Sequence, residues 1–288
     1  MVESFMNPRL RALARLLVFV ALVIFVFAAK RQWLRAVLHG TDSTGIYVLD
    51  HMIELAAVVI FGSVMAALER RPFAAFGLPW RQAMRTRFWQ GALAGLVSLT
   101  VLVFVLRATG AIRLDLSSTP APQAIGLGLA YAVLFVLLAV REEFLYRGYG
   151  LFTLTELTGF WPAALASTAW FAWSHAGNSS ENAIGLVNVA GFGLVACLTL
   201  RRTGSLWLAI GFHAAWNWGQ TYLYGVSDSG HPAAPGHLLT STVSPAAPHW
   251  LSGASVGPEG SALCALVFVG LGILCARVLR GVRYPELQ

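Results

Sequence analysis

Val140-Arg-Glu-Glu-Phe-Leu-Tyr-Arg147 follows directly on an apolar run, Ala124 to Val140. Two adjacent carboxylates and two arginines are thereby tied to a segment that can enter a bilayer. A charge at bilayer depth costs roughly 3 kcal/mol or more, so four of them clustered there are hard to explain as packing. Later apolar segments each add a polar partner, first His175, then His213 with Asn217. The pattern implies one pocket inside a helical membrane protein. The alternative is a helix end among headgroups, with the four charges solvated.

The rest of the composition agrees with lipid as the solvent. The chain is 57% hydrophobic and 11% charged, against roughly 25% charged for a soluble domain. No single soluble core hides that much apolar surface. We expect an all-α, polytopic bundle of about eight transmembrane helices, with residues 1–288 as one membrane domain. Candidate spans are Ala12–Ala29, Met52–Leu68, Gly91–Leu106, a fourth beginning at Ala124, Phe160–Ser174, Ala183–Leu200, Ser205–Tyr222 and Ser261–Val278. Residues 120–222 hold the chemistry-bearing motifs. Residues 223–260, rich in Gly, Pro and Ser, read as a long non-cytoplasmic loop. Arg71 to Trp89 reads as a surface-lying connection, and Ala108 to Gln123 as a loop. Gly185, Gly191, Gly193, Gly270 and Gly272 read as places where helices approach closely.

The net charge is +7. The arginines sit at the ends of apolar runs, which fits topology and anionic headgroups rather than nucleic acid. Arg70, Arg71, Arg81, Arg85 and Arg87 share one connection. Arg201 and Arg202 close the sixth span, and Arg277, Arg280 and Arg283 follow the eighth. These clusters place both termini in the cytoplasm of a multi-pass protein of the cell (inner) membrane, against Lys30, Arg31 and Arg35 on the other side. Cys197, Cys264 and Cys275 show no metal or disulfide spacing and read as small buried hydrophobes. His231, His237 and His249 read as solvated loop histidines. Asp50, His51 and Glu54 read as an interfacial first turn.

Helix spacing sorts the motif residues. Glu143 and Arg147 are four apart and can pair. Glu142 lies about 100° round the helix from Glu143 and can face a cavity as a general base. Phe171 and His175 share one face, as do His213 and Asn217. In mid-span, His213 and Asn217 need a cavity or another helix to satisfy them. A Glu with a His can take a proton from water, and a His with an Asn can donate to an oxyanion. These are parts of a peptide-bond hydrolase without a serine or cysteine nucleophile.

Glu142-Glu143-x-x-x-Arg147, Phe171-x-x-x-His175 and His213-x-x-x-Asn217 together resemble the three-motif signature of the CAAX protease and bacteriocin-processing (CPBP) family. Phe76-Gly77-Leu78 is similar to a recurrent feature of its bacterial members. The resemblance implies an eight-helix core with a cavity reached from the cytoplasmic side. It implies Glu142 as general base aided by His175, His213 and Asn217 as oxyanion stabilisers, and Glu143 and Arg147 as supports. Members are often labelled metalloendopeptidases. No H-E-x-x-H zinc motif is present, and we favour a metal-free reaction; a bound zinc would call on Glu142, His175 and His213. The expected substrate is a membrane-associated peptide or protein, in peptide maturation or bacteriocin immunity. Competing readings are a proton-coupled transporter using the same Glu and His groups, a haem protein with His175 and His213 as axial ligands, and a catalytically silent immunity or scaffold protein.

Overall fold

The computed structural model describes residues 7–38, 44–233 and 235–284. It is an all-α bundle. The helices are α1 (Pro8–Leu38), α2 (Thr44–Leu68), α3 (Thr86–Ala108), α4 (Ala121–Arg147), α5 (Tyr149–Thr158), α6 (Phe160–His175), α7 (Ala183–Thr203), α8 (Trp207–Trp218), the single turn α9 (His249–Ser252) and α10 (Ala262–Val278). Among the described residues, five segments are long and apolar enough to cross a membrane: 8–34, 48–68, 86–108, 121–158 and 183–203. α10 is shorter, and α6 and α8 are shorter still. Large apolar side chains such as Phe25, Leu93, Val133 and Leu266 point outward, as lipid-facing positions should.

The fourth span does continue past the charged turn. α4 runs through Arg147, breaks at Gly148 and resumes as α5. A Cβ on Gly148 would lie 2.4 Å from the Phe144 carbonyl oxygen, so only glycine fits the break. The tightest helix contact joins α3 to α8. Cβ atoms on Gly91 and Gly211 would each lie 2.0 Å from backbone oxygens of the facing helix. This contact sets the depth of His213. Of the glycines expected in that role, Gly191 faces Phe268 of α10 at 3.4 Å and Gly193 faces Thr168 of α6 at 3.0 Å. Gly270 meets nothing within 4 Å and Gly272 only Val195 at 3.8 Å, whereas Gly193 makes room for the Arg147 guanidinium.

Two ends of the bundle are distinct. At the first, Arg15 reaches Glu69 and Glu156, Arg71 pairs with Glu156, and Tyr149 donates to Glu69. Phe76 and Leu78 are fully buried there, Gly77 turns with φ +83°, and its carbonyl accepts from the Leu206 amide. The connection expected to lie on the surface is therefore an anchored plug. The chain beyond α10 joins this end through the amides of Arg283 and Tyr284 to the Arg201 carbonyl. We call it the arginine end.

The opposite end carries the remaining connections. The stretch after α3 is not plain loop: β1 (Ile112–Leu116) pairs antiparallel with β2 (Leu239–Val243), Ile112 opposite Val243. The alternating β-branched residues of Leu239–Val243 suit that pairing. Asn178 donates to the Ser229 carbonyl and Ser179 to that of Gly230, binding the α6–α7 turn to residues 225–260. His231 and His249 are exposed, while His237 bonds Thr240 at 3.1 Å.

Candidate active site

α4 supplies a carboxylate pair with opposite surroundings. Glu143 and Arg147 are both fully buried and paired at 3.1 Å, as their spacing predicts. The Arg147 guanidinium lies 4.1 Å from the Phe171 ring centre and 5.6 Å from that of Phe192. Packing on aromatic faces suits a desolvated guanidinium. Glu143 Oε1 also meets His213 Nδ1 at 2.9 Å. A ring nitrogen facing a carboxylate carries the proton, so Nδ1–H donates to Glu143. His213 Nε2 then points toward Glu142 Oε2, 3.7 Å away.

Glu142 is not the unpartnered carboxylate that its spacing suggests. The preceding residue, Arg141, holds it through Glu142 Oε1. The same guanidinium grips Glu54 of α2, and Glu54 Oε1 pairs with Lys30 of α1 at 2.6 Å. Lys30 in turn pairs with Asp50. The interfacial first turn read at Asp50 and Glu54 is thus the outer part of a charge chain that ends on Glu142. Its signal lies in the sequence: Arg141 adjoins Glu142, and an acidic residue one turn into an apolar span needs a cation.

His175 ends α6. Its Nδ1 donates to the Phe171 carbonyl at 2.8 Å, and the two rings pack at 4.5 Å, so Nε2 is left with its lone pair for a ligand. Both imidazoles lie within electrostatic reach of Glu142. His175, His213 and Asn217 line one cavity of about 30 Å³, room for one or two waters. Phe192, Asn188 and Glu259 line it as well. Glu142 borders His213 rather than the cavity wall. The structure therefore brings the four candidate residues to one place, with His213 between the carboxylate and the cavity. Sequence reasoning missed Asn188 and Glu259, although a buried Asn inside an apolar helix is a recognisable signal.

The flanking tryptophans divide. Trp216 lines the cavity and donates to Glu259 at 2.8 Å. Trp218 donates to the Gly128 carbonyl and Trp170 packs on Tyr146, while Trp173 is 74% exposed.

The cavity lies toward the end formed by residues 176–182 and 225–260, away from the arginine end. Among the described residues, no three His, Cys, Asp or Glu groups gather closely enough to hold a metal ion.

Residues 124–219 match the Rce1-like family, described as type II CAAX prenyl endopeptidase Rce1-like. The match covers one third of the chain and contains all three motifs. It supports the CAAX protease and bacteriocin-processing family, and with it a CAAX-type intramembrane endopeptidase in general. No curated protein matches the chain.

Proposed function

We propose that the protein hydrolyses a peptide bond of a membrane-associated substrate with a water activated by Glu142 and His175. The observation that carries this is a space of water size lined by His175, His213 and Asn217, with Glu142 3.7 Å behind His213 Nε2. Water attacks the carbonyl carbon and passes a proton to the Glu142–His175 pair. The charge developing on the carbonyl oxygen is met by the Asn217 amide and by His213. To donate from Nε2, His213 must hold protons on both nitrogens, with Glu142 and Glu143 on either side as counter-charges. When the C–N bond breaks, the proton goes to the leaving nitrogen, giving an acid and an amine. Arg141 touches no reacting atom; it positions Glu142. No step uses a metal.

Comparing the membrane peptides of cells carrying the wild-type protein with those of cells carrying Glu142→Gln tests the reaction. Fragments present only with the wild type are expected, and identical profiles would reject it. Chelator treatment tests the metal-free step: activity lost to chelator and restored by zinc would reject it.

Arginine bias sets the orientation we propose. The arginine end faces the cytoplasm of the cell membrane, so the cleft opens on the opposite side. A tag placed after residue 288 should survive protease added to intact cells. Its removal would reverse the orientation.

A further inference from the structure

Beyond the catalytic groups, the cavity ends in a cluster with a surplus of hydrogen-bond acceptors. Asn188 is 1% exposed. Its amide nitrogen donates to the carbonyls of Glu259 and Ser261, while its Oδ1 has no donor. Glu259, buried and lining the same cavity, receives only neutral donors: the Trp216 indole at 2.8 Å, the Ser229 amide at 3.0 Å and the Ser229 hydroxyl at 2.6 Å. Asp228, next to Ser229, keeps a buried Oδ1 without a partner, and so does Glu181 at Oε2.

The electrostatics show the same deficit. Burial pushes the Asp228 carboxyl well above the usual carboxylate range, and Glu259 and then Glu142 push it further. Burial also raises Glu181, with Glu259 adding to it. Among the described residues, no lysine or arginine acts on either group. Buried carboxylates are normally paired with a cation or hydrogen-bonded in full. This cluster is neither, and two of its members, Glu259 and Asn188, line the space where the substrate must lie.

We propose that this cluster is a substrate subsite for a basic group, a lysine or arginine side chain or a free amino terminus, held by Glu259, Asp228 and Asn188 Oδ1. The inference rests on the endopeptidase reading and names the class of peptide that reading left open. An ammonium or guanidinium brings the donors that Asn188, Asp228 and Glu181 lack. Its charge offsets the acidic groups, and Phe192, Phe212 and Phe268 line the same cavity.

The test uses the full-length protein in detergent and a series of apolar peptides carrying lysine, or its uncharged isostere norleucine, at successive positions beside the cut. N-acetylated and free amino-terminal versions distinguish the side chain from the terminus. At one position, or at the free terminus, the charged peptide is expected to have roughly tenfold or greater kcat/KM. Asp228→Asn and Glu181→Gln should bring that ratio toward one. Equal cleavage of charged and neutral peptides overturns the subsite and leaves the hydrolase standing. A ratio unchanged in both variants overturns its location. Cleavage of no peptide above the Glu142→Gln background overturns the hydrolase, and the subsite with it.

Discussion

Two buried polar clusters meet at this site, and they are built on opposite plans. On the α4 side, charges alternate: Asp50, Lys30, Glu54, Arg141, Glu142, then His213, Glu143 and Arg147. Three cations stand against four carboxylates, and a second proton on His213 brings the chain to balance. On the α7–α10 side, Glu181, Asp228 and Glu259 face one another with no cation among them. The first cluster is complete in itself, as a device that fixes a side chain must be. The second lacks its partner, as expected of a site whose partner arrives from outside.

Breaking the balanced cluster at its reactive member should have the largest effect. Glu142→Gln is expected to lower kcat/KM by about 10²–10⁴-fold, measured on any peptide the wild type cleaves. A smaller loss would mean that another group takes the proton. Asn217→Ala removes one oxyanion donor and should cost about 10²–10³-fold in kcat. An effect confined to KM would instead make Asn217 a ground-state contact. Arg141→Ala comes next. Freed from Arg141 and Glu54, the Glu142 carboxylate loses its position, and misplacement of this kind is expected to cost about 10- to 100-fold. Arg141→Lys keeps the charge without the planar fork and should recover part of the rate. Activity equal to wild type in Arg141→Ala would show the α4 network to be structural only.

The sequence made much of one cluster readable and almost none of the other. The Glu143–Arg147 pair follows from a four-residue spacing within one helix, and the break after Arg147 leaves it intact. The face shared by Phe171 and His175 follows in the same way. Glu54 with Arg141 does not, because the two are 87 residues apart and only the packing of α2 on α4 joins them. Glu259 lies in a stretch without periodicity. Its place is fixed by Trp216, Ser229 and the carbonyl contacts of Asn188, all long-range. The β1–β2 pair was hidden for a related reason: a two-stranded ribbon of five residues each carries little local signal. The arginine pattern was legible, but it fixes only which end is which. The place of the cavity relative to those ends depended on seeing that His175 ends α6 beside residues 225–260.

The smallest effect sharpens the comparison most, because it reads the missing cation without any substrate. Asp228 binds protons more tightly in the folded protein than an ordinary carboxylate does. Its contribution to stability is therefore present in full below the ordinary carboxylate range, and it is lost as pH rises toward the elevated folded value. Near neutral pH the folded state carries that penalty, and Asp228→Asn removes the charge that causes it. The variant should melt a few degrees above wild type at neutral pH, on the order expected for about 1 kcal/mol. The gap should close below about pH 3, where both states of the wild-type side chain are protonated. A lysine peptide that the wild type binds should raise the wild-type melting point at neutral pH and narrow the gap from the other side. A variant less stable than wild type at every pH would mean that Asp228 already has its partner within the fold, and the contrast between the clusters would fail.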